Sequence, residues 1–158
     1  MIPEAPFLFS IAALSASLAG LAGLVAGLRR GADVRPIDLF RLREIVEFAF
    51  ANVLLAIGVV PLTLALADGA LAVRVAAAIG ISYGVVTVIV LARRSRLSNL
   101  AWTRGWTAAA IVINLAAAVA GVYVLASGSI SAYLAFLVAL LARPMVAFLL
   151  VLASFESQ

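Results

Sequence analysis

Residues 7–28 read FLFSIAALSASLAGLAGLVAGL, an apolar run that contains no charged residue. As an α-helix this run is about 33 Å long, because each residue adds about 1.5 Å, and the hydrocarbon core of a bilayer is about 30 Å thick. Its N-terminal flank carries no arginine, whereas a secretory signal has a positive flank and a shorter apolar region. The run therefore predicts a retained membrane-spanning helix.

The rest of the chain repeats this pattern. Four further apolar runs cover residues 45–66, 71–92, 106–126 and 131–153. Hydrophobic residues make up 66% of the chain and charged residues only 11%, whereas a typical soluble domain is about 25% charged. We therefore expect an all-α fold in which residues 1–158 form a single transmembrane domain, a polytopic bundle of five transmembrane helices.

The segment before the second run has charges at helical spacing. A helix that begins near Ile37, just after Pro36, would carry one polar stripe of residues spaced by three, namely Asp38, Arg41, Glu44 and Glu47. Residues 67–69 (Ala-Asp-Gly) and 127–129 (Ser-Gly-Ser) predict the tight turns that follow the second and fourth helices.

The arginines predict the orientation of the bundle. Nine of the eleven lie in two segments on the same side of a five-helix arrangement, at positions 29, 30, 35, 41, 43, 93, 94, 96 and 104. Short cytoplasmic segments are enriched in arginine and lysine. We therefore expect the N-terminus outside, the C-terminus in the cytoplasm, and a location in the bacterial inner (cytoplasmic) membrane.

Several classes of chemistry are excluded by residue types that the sequence lacks. There is no cysteine and no histidine, and all eleven basic residues are arginine. Thiolate nucleophiles, imidazole bases and Cys/His metal sites are therefore impossible. No phosphate-binding loop or dinucleotide fingerprint is present either. We expect a protein that is not an enzyme, with no cofactor, no metal site and no nucleic-acid partner.

Arg143 is the most unusual residue of the apolar runs. It lies near the middle of the fifth run and directly before Pro144. An arginine at that depth is costly unless polar groups surround it. We expect an intramembrane polar cluster in which Arg143 is held by Glu47, Asn52 or Asn114. Alternatively, Glu47 pairs with Arg43 four residues earlier on the same helix.

Small residues recur at intervals of four in two of the runs. The first run has Ser15, Ala19, Gly23 and Gly27, and the third has Gly80 and Gly84. Residues four apart share a helix face, and small side chains there allow another backbone to come close. We expect these faces to pack either within the bundle or against another subunit.

The sequence also carries a family resemblance. Residues 28–30 (Leu-Arg-Arg) and 40–46 (Phe-Arg-Leu-Arg-Glu-Ile-Val) resemble small uncharacterised bacterial integral membrane proteins, in which a basic pair follows the first span and Arg-x-Arg opens the second. The resemblance covers about the first 65 residues. It implies a membrane location and no particular activity.

Two functional hypotheses follow from these observations. The first is a non-enzymatic integral membrane subunit, an accessory or structural component of the bilayer that packs against other membrane subunits or forms a homo-oligomer. The second is a small oligomeric ion channel or transporter that uses the intramembrane polar cluster around Arg143. The small-residue faces favour the first hypothesis, and Arg143 favours the second.

Overall fold

The structure, a computed structural model, describes residues 4–28, 36–97 and 104–156. These residues form five α-helices joined in chain order: α1 (Ala5–Leu28), α2 (Pro36–Leu66), α3 (Gly69–Leu97), α4 (Arg104–Ser127) and α5 (Ile130–Glu156). The predicted all-α class and helix number are confirmed. The segments that hold Arg29, Arg30, Arg35 and Trp102 lie outside the described residues.

Each helix is long and apolar enough to cross a membrane. The candidate spans are Ala5–Leu28, Ile37–Leu66, Gly69–Val90, Ala109–Ser127 and Ile130–Ala153. α2 begins at Pro36, about two turns before the purely apolar run, as the helical spacing of its charges predicts. α5 continues as a helix through Pro144. The chain thus has the architecture of a multi-pass membrane protein.

α2 and α5 lie at the centre of the bundle. α2 packs against α1, α3 and α5, while α5 contacts all four other helices. Within the described residues α1 touches only α2 and α5, and α4 touches only α3 and α5. α1 and α4 therefore keep large faces that none of the other described helices covers.

The two ends of the bundle differ. At the end that we call the turn end, α2 joins α3 and α4 joins α5 through connections of two residues each. Ala67 and Gly128 both adopt a left-handed backbone, with φ of 52° and 64°. Asp68 Oδ1 then accepts the first free N–H groups of α3, from Ala70 and Leu71, at 2.9 and 3.1 Å. The tight turn predicted at residues 67–69 is confirmed; Ala67 takes the left-handed conformation and Gly69 is the first residue of α3. The opposite end is called the arginine end.

The buried side chains form two apolar clusters along the bundle. The larger one extends from the turn end to the middle and includes Tyr133, Phe136 and Leu137 of α5. The smaller one, around Ile45 and Val151, lies towards the arginine end. Arg143 lies between these two clusters along α5, so a buried charged side chain occupies the centre of the bundle.

Candidate functional site

The charged residues at the start of α2 do not share one face. Asp38, Arg41 and Glu44 are buried, whereas Glu47 is only partly buried. An α-helix turns about 100° per residue, so each step of three residues falls about 60° short of a full turn. Three such steps place Glu47 about half a turn from Asp38. The prediction of a single stripe of four charges is therefore wrong, because only the first three face the interior.

Arg143 of α5 meets Glu44 of α2 inside the bundle. Its Nε and Nη2 atoms both donate to Glu44 Oε1, at 2.9 and 2.5 Å. The two side chains are only 3% and 2% exposed. Hydrogen bonds between ionised groups are shorter and stronger than neutral ones, and this pair joins residues 99 positions apart in the chain. It therefore ties the two central helices together.

Asn114 and Phe48 complete the surroundings of this arginine. Arg143 Nη1 donates to Asn114 Oδ1 at 3.0 Å, and Asn114 Nδ2 donates in turn to the carbonyl of Ala110 at 2.7 Å. The Phe48 ring lies under the guanidinium, with 4.0 Å between Arg143 Cζ and the ring centroid, a distance typical of a cation–π contact. We call Glu44, Phe48, Asn114 and Arg143 the Arg143 cluster, and it joins α2, α4 and α5.

A second ion pair lies next to the Arg143 cluster on α2. Arg41 Nη1 is 3.5 Å from Asp38 Oδ1, and both residues are buried. Together with Glu44 and Arg143 they make two positive and two negative formal charges. The group is thus neutral as a whole, which lowers the cost of holding it in an apolar bundle.

The prediction that Glu47 binds Arg143 is wrong, and the alternative is confirmed. Glu47 Oε1 accepts a hydrogen bond from Arg43 Nε at 2.6 Å, and both side chains remain largely exposed, at 40% and 62%. The sequence does not single out Glu44 as the partner of Arg143, because the apolar run starts only at Ile45. Since α2 is helical from Pro36, Glu44 lies more than two turns inside the helix and faces α5.

Asn52 also lies apart from Arg143, contrary to the predicted cluster. Its Nδ2 donates to Ser15 Oγ of α1 at 3.1 Å and to the carbonyl of Leu137 on α5 at 3.3 Å. Ser15 itself donates to the carbonyl of Ile11 at 2.8 Å. Asn52 thus forms a separate polar crossing of α1, α2 and α5, two turns from Glu44 along α2. Of the expected partners, only Asn114 contacts Arg143.

Three buried polar atoms of the described residues have no hydrogen-bond partner: Arg41 Nε, Glu44 Oε2 and Asn52 Oδ1. Each belongs to a residue that makes another polar contact. Among the described side chains, the interior of the bundle therefore holds one donor and two acceptors without a hydrogen bond. Buried groups of this kind are costly, which marks these positions as the least satisfied part of the core.

The small-residue face of α1 divides into a buried and an open half. Ser15 and Ala19 are buried, whereas Gly23 and Gly27 are exposed. A Cβ atom built on Gly20, Gly23 or Gly27 would meet nothing within 4 Å. The expectation of close packing within the chain therefore holds only for the first half of this face.

The two glycines of α3 also differ. A Cβ on Gly80 would lie 2.9 Å from ring atoms of Phe136, but one on Gly84 would meet nothing within 4 Å. Sequence reasoning missed a third position, Gly121 of α4, where a Cβ would lie 2.8 Å from Ile81. Gly121 follows the buried Ala117 by four residues, which is the signal that could have identified it.

The geometry of the Arg143 cluster is that of a structural crossing between helices. Two cavities of about 580 and 410 Å³ lie in the described part of the bundle, one near Thr63 at the turn end and one between α2 and α3, and neither is lined by Arg143 or Glu44. Within the described residues no group of three or more acidic side chains is placed to hold a metal ion. The guanidinium is thus enclosed by protein groups.

Comparison with known proteins gives no family assignment: no protein-family model matches the chain, and no curated protein or solved structure matches it either.

Proposed function

We propose that this chain is a non-enzymatic subunit of the bacterial inner membrane that packs laterally, through α1, against a second copy of itself or against other membrane subunits. It lies in the bilayer with its N-terminus outside and its arginine end in the cytoplasm. The observation that carries the proposal is the open face of α1, where three glycines are exposed and no atom of the described residues lies within 4 Å of a Cβ built on them.

The open face has the properties of a helix-packing surface. Ala16, Gly20, Gly23 and Gly27 are all exposed and lie within about 60° of one another around α1, at about 100° per residue. In a bilayer, where lipid tails are as apolar as leucine, helices associate through close backbone approach and van der Waals contact. Glycine is also a poor helix former, so three unpacked glycines weaken α1 unless another helix covers them.

The enclosure of Arg143 supports a structural role over transport. An ion pathway needs polar groups that face a wet cavity, and the hydrogen bonds of Arg143 are directed to Glu44 and Asn114 instead. The channel or transporter hypothesis depended on this residue. The best-supported role of the Arg143 cluster is to fix α2, α4 and α5 so that the face of α1 is presented to a partner.

Cysteine cross-linking tests the proposal, because the natural chain contains no cysteine. The Gly23→Cys and Gly27→Cys variants would be produced in native membranes. One sample of each would be oxidised, and a second sample would be labelled with a thiol-reactive photo-cross-linker. We expect a disulfide dimer if the partner is a second copy, or a photo-adduct with another membrane protein if it is a different subunit.

Val112→Cys is the matched control, because Val112 is 66% exposed on α4, on a helix without this row of glycines. It should give neither adduct above the level of random collision. Equal adducts at Gly23 and Val112, or adducts with lipid alone at both glycines, would contradict the proposal.

A further inference from the structure

A groove of about 410 Å³ runs between α2 and α3 on the outside of the bundle. Leu55 and Ala76 are buried at its base, while Phe50, Leu54 and Ile79 are more than half exposed along its edges. A Cβ on Gly58 would meet open space there. The full lining is Glu47, Phe50, Ala51, Leu54, Leu55, Gly58, Leu62, Ala76, Ile79 and Tyr83.

The groove is long and mostly apolar. It extends along α2 from Glu47 to Leu62, a distance of about 22 Å at the rise of an α-helix. A single extended hydrocarbon chain can lie along a groove of this length.

One end of the groove is charged and the other is apolar. At the arginine end, Glu47 lines the groove and accepts a hydrogen bond from Arg43 Nε, and the Arg43 side chain is 62% exposed. Tyr83 lies at the same level, since its hydroxyl donates to the carbonyl of Glu47 at 3.3 Å. Arg93, also exposed, lies further along α3 on the same side of the helix as Ile79. Two arginines and one glutamate give this end a net positive charge.

We infer that the α2–α3 groove binds one acyl chain of an anionic phospholipid, whose phosphate lies at Arg43 and Arg93. The apolar groove is longer than one leaflet of hydrocarbon, about half of a 30 Å core, so it accommodates a chain that enters from the arginine end. Anionic headgroups are attracted to arginines at the membrane surface.

Native mass spectrometry of the purified full chain tests the inference. Phosphatidylglycerol and phosphatidylcholine with identical acyl chains would be titrated separately. We expect one phosphatidylglycerol to bind with at least about fivefold preference, the contribution of a surface arginine to binding an anionic lipid. Replacing both arginines, Arg43→Gln with Arg93→Gln, should remove that preference without abolishing the binding of phosphatidylcholine.

Two leucine substitutions separate the groove from general lipid contact. Gly58→Leu places a side chain in the groove, and Gly20→Leu places the same side chain on the open face of α1; at neither position does a Cβ meet an atom within 4 Å. We expect Gly58→Leu to weaken binding of phosphatidylglycerol about tenfold, because it displaces methylene groups of the bound chain, and Gly20→Leu to leave it unchanged.

The inference has clear contrary results. Equal affinity for the two lipids, or wild-type lipid binding by Gly58→Leu, would overturn it. A change in the number of protein chains per particle in the Gly58→Leu variant, with no change in bound lipid, would also overturn it. In that case a protein, and not a lipid, would occupy the groove. Thermal unfolding of both leucine variants is the check that each is folded, and a Gly58→Ala variant that still binds lipid would tie the loss to side-chain volume.

Discussion

The side chain of Arg143 makes three hydrogen bonds and one ring contact inside the bundle. Isolated in hydrocarbon, an arginine costs at least about 2.5–3.5 kcal/mol on insertion scales. Here the charge of Glu44 and the amide oxygen of Asn114 offset that cost. These residues depend on one another, so replacing one of them leaves buried polar groups of the others without a hydrogen-bond partner.

A double-mutant cycle measures this coupling. Arg143→Leu leaves the Glu44 carboxylate buried without its partner, and we expect it to lower the free energy of unfolding by about 3–5 kcal/mol. Adding Glu44→Leu should restore part of that loss, because neither charge then remains buried. The measurement is the unfolding free energy of the two single variants and the double variant in the same lipid or detergent.

Glu47→Leu is the control for this cycle. Its pair with Arg43 is exposed, and exposed ion pairs contribute about 1 kcal/mol or less. Its effect should therefore be small and should add to that of Arg143→Leu without coupling. Additive behaviour of Glu44→Leu and Arg143→Leu would contradict the role assigned to the Arg143 cluster.

At this scale the sequence predicts the need for a cluster but not its membership. Hydropathy shows that Arg143 requires polar partners, and Asn114 is one of the residues that the sequence predicts. The sequence does not predict Glu44, because it lies just before the apolar run and its depth follows only from the start of α2 at Pro36. Which carboxylate faces α5 depends on the rotation of α2, and that rotation is set by packing between helices far apart in the chain.

The elements themselves are easier to predict than their contacts. Five apolar runs of membrane length gave five helices, because the bilayer thickness fixes the length and backbone hydrogen bonding fixes the conformation. The spacing of small residues does not predict which of them pack against another helix. The four-residue rows on α1 and α3 each contain buried and open members, since alanine-rich helices present small residues on every side.

Gly80 and Gly84 provide a matched test of helix packing within the chain. A methyl group on Gly80 would clash with the Phe136 ring at 2.9 Å and approach Leu55 at 3.0 Å, whereas the same group on Gly84 is free of contacts. We expect Gly80→Ala to cost about 1–3 kcal/mol through overpacking. Gly84→Ala should be neutral or slightly stabilising, because alanine favours the helix.

Thermal unfolding of the two alanine variants in one detergent compares them directly. A lower midpoint for Gly80→Ala alone is the expected result. Equal midpoints would mean that α3, α2 and α5 move apart easily, and the close contact of these helices at Gly80 would then be wrong.

For the whole molecule, orientation is the property that reporter fusions can decide. Fusions placed after Arg30, Asp68, Arg96, Ser129 and Gln158 should report cytoplasm, outside, cytoplasm, outside and cytoplasm. We expect this alternation because arginine-rich segments are retained on the cytoplasmic side. The connections at the turn end are only two residues long and contain no arginine. A cytoplasmic reporter at Ser129 is incompatible with this arrangement.

The separation of Glu44 and Arg143 in the chain has a consequence for synthesis. They lie 99 residues apart, and a ribosome adds about 5–20 residues per second, so Glu44 is synthesised about 5–20 s before Arg143. During that interval the Glu44 carboxylate has not yet met the guanidinium that binds it in the complete bundle. The stability that this pair gives to the bundle therefore appears only after α5 has been synthesised.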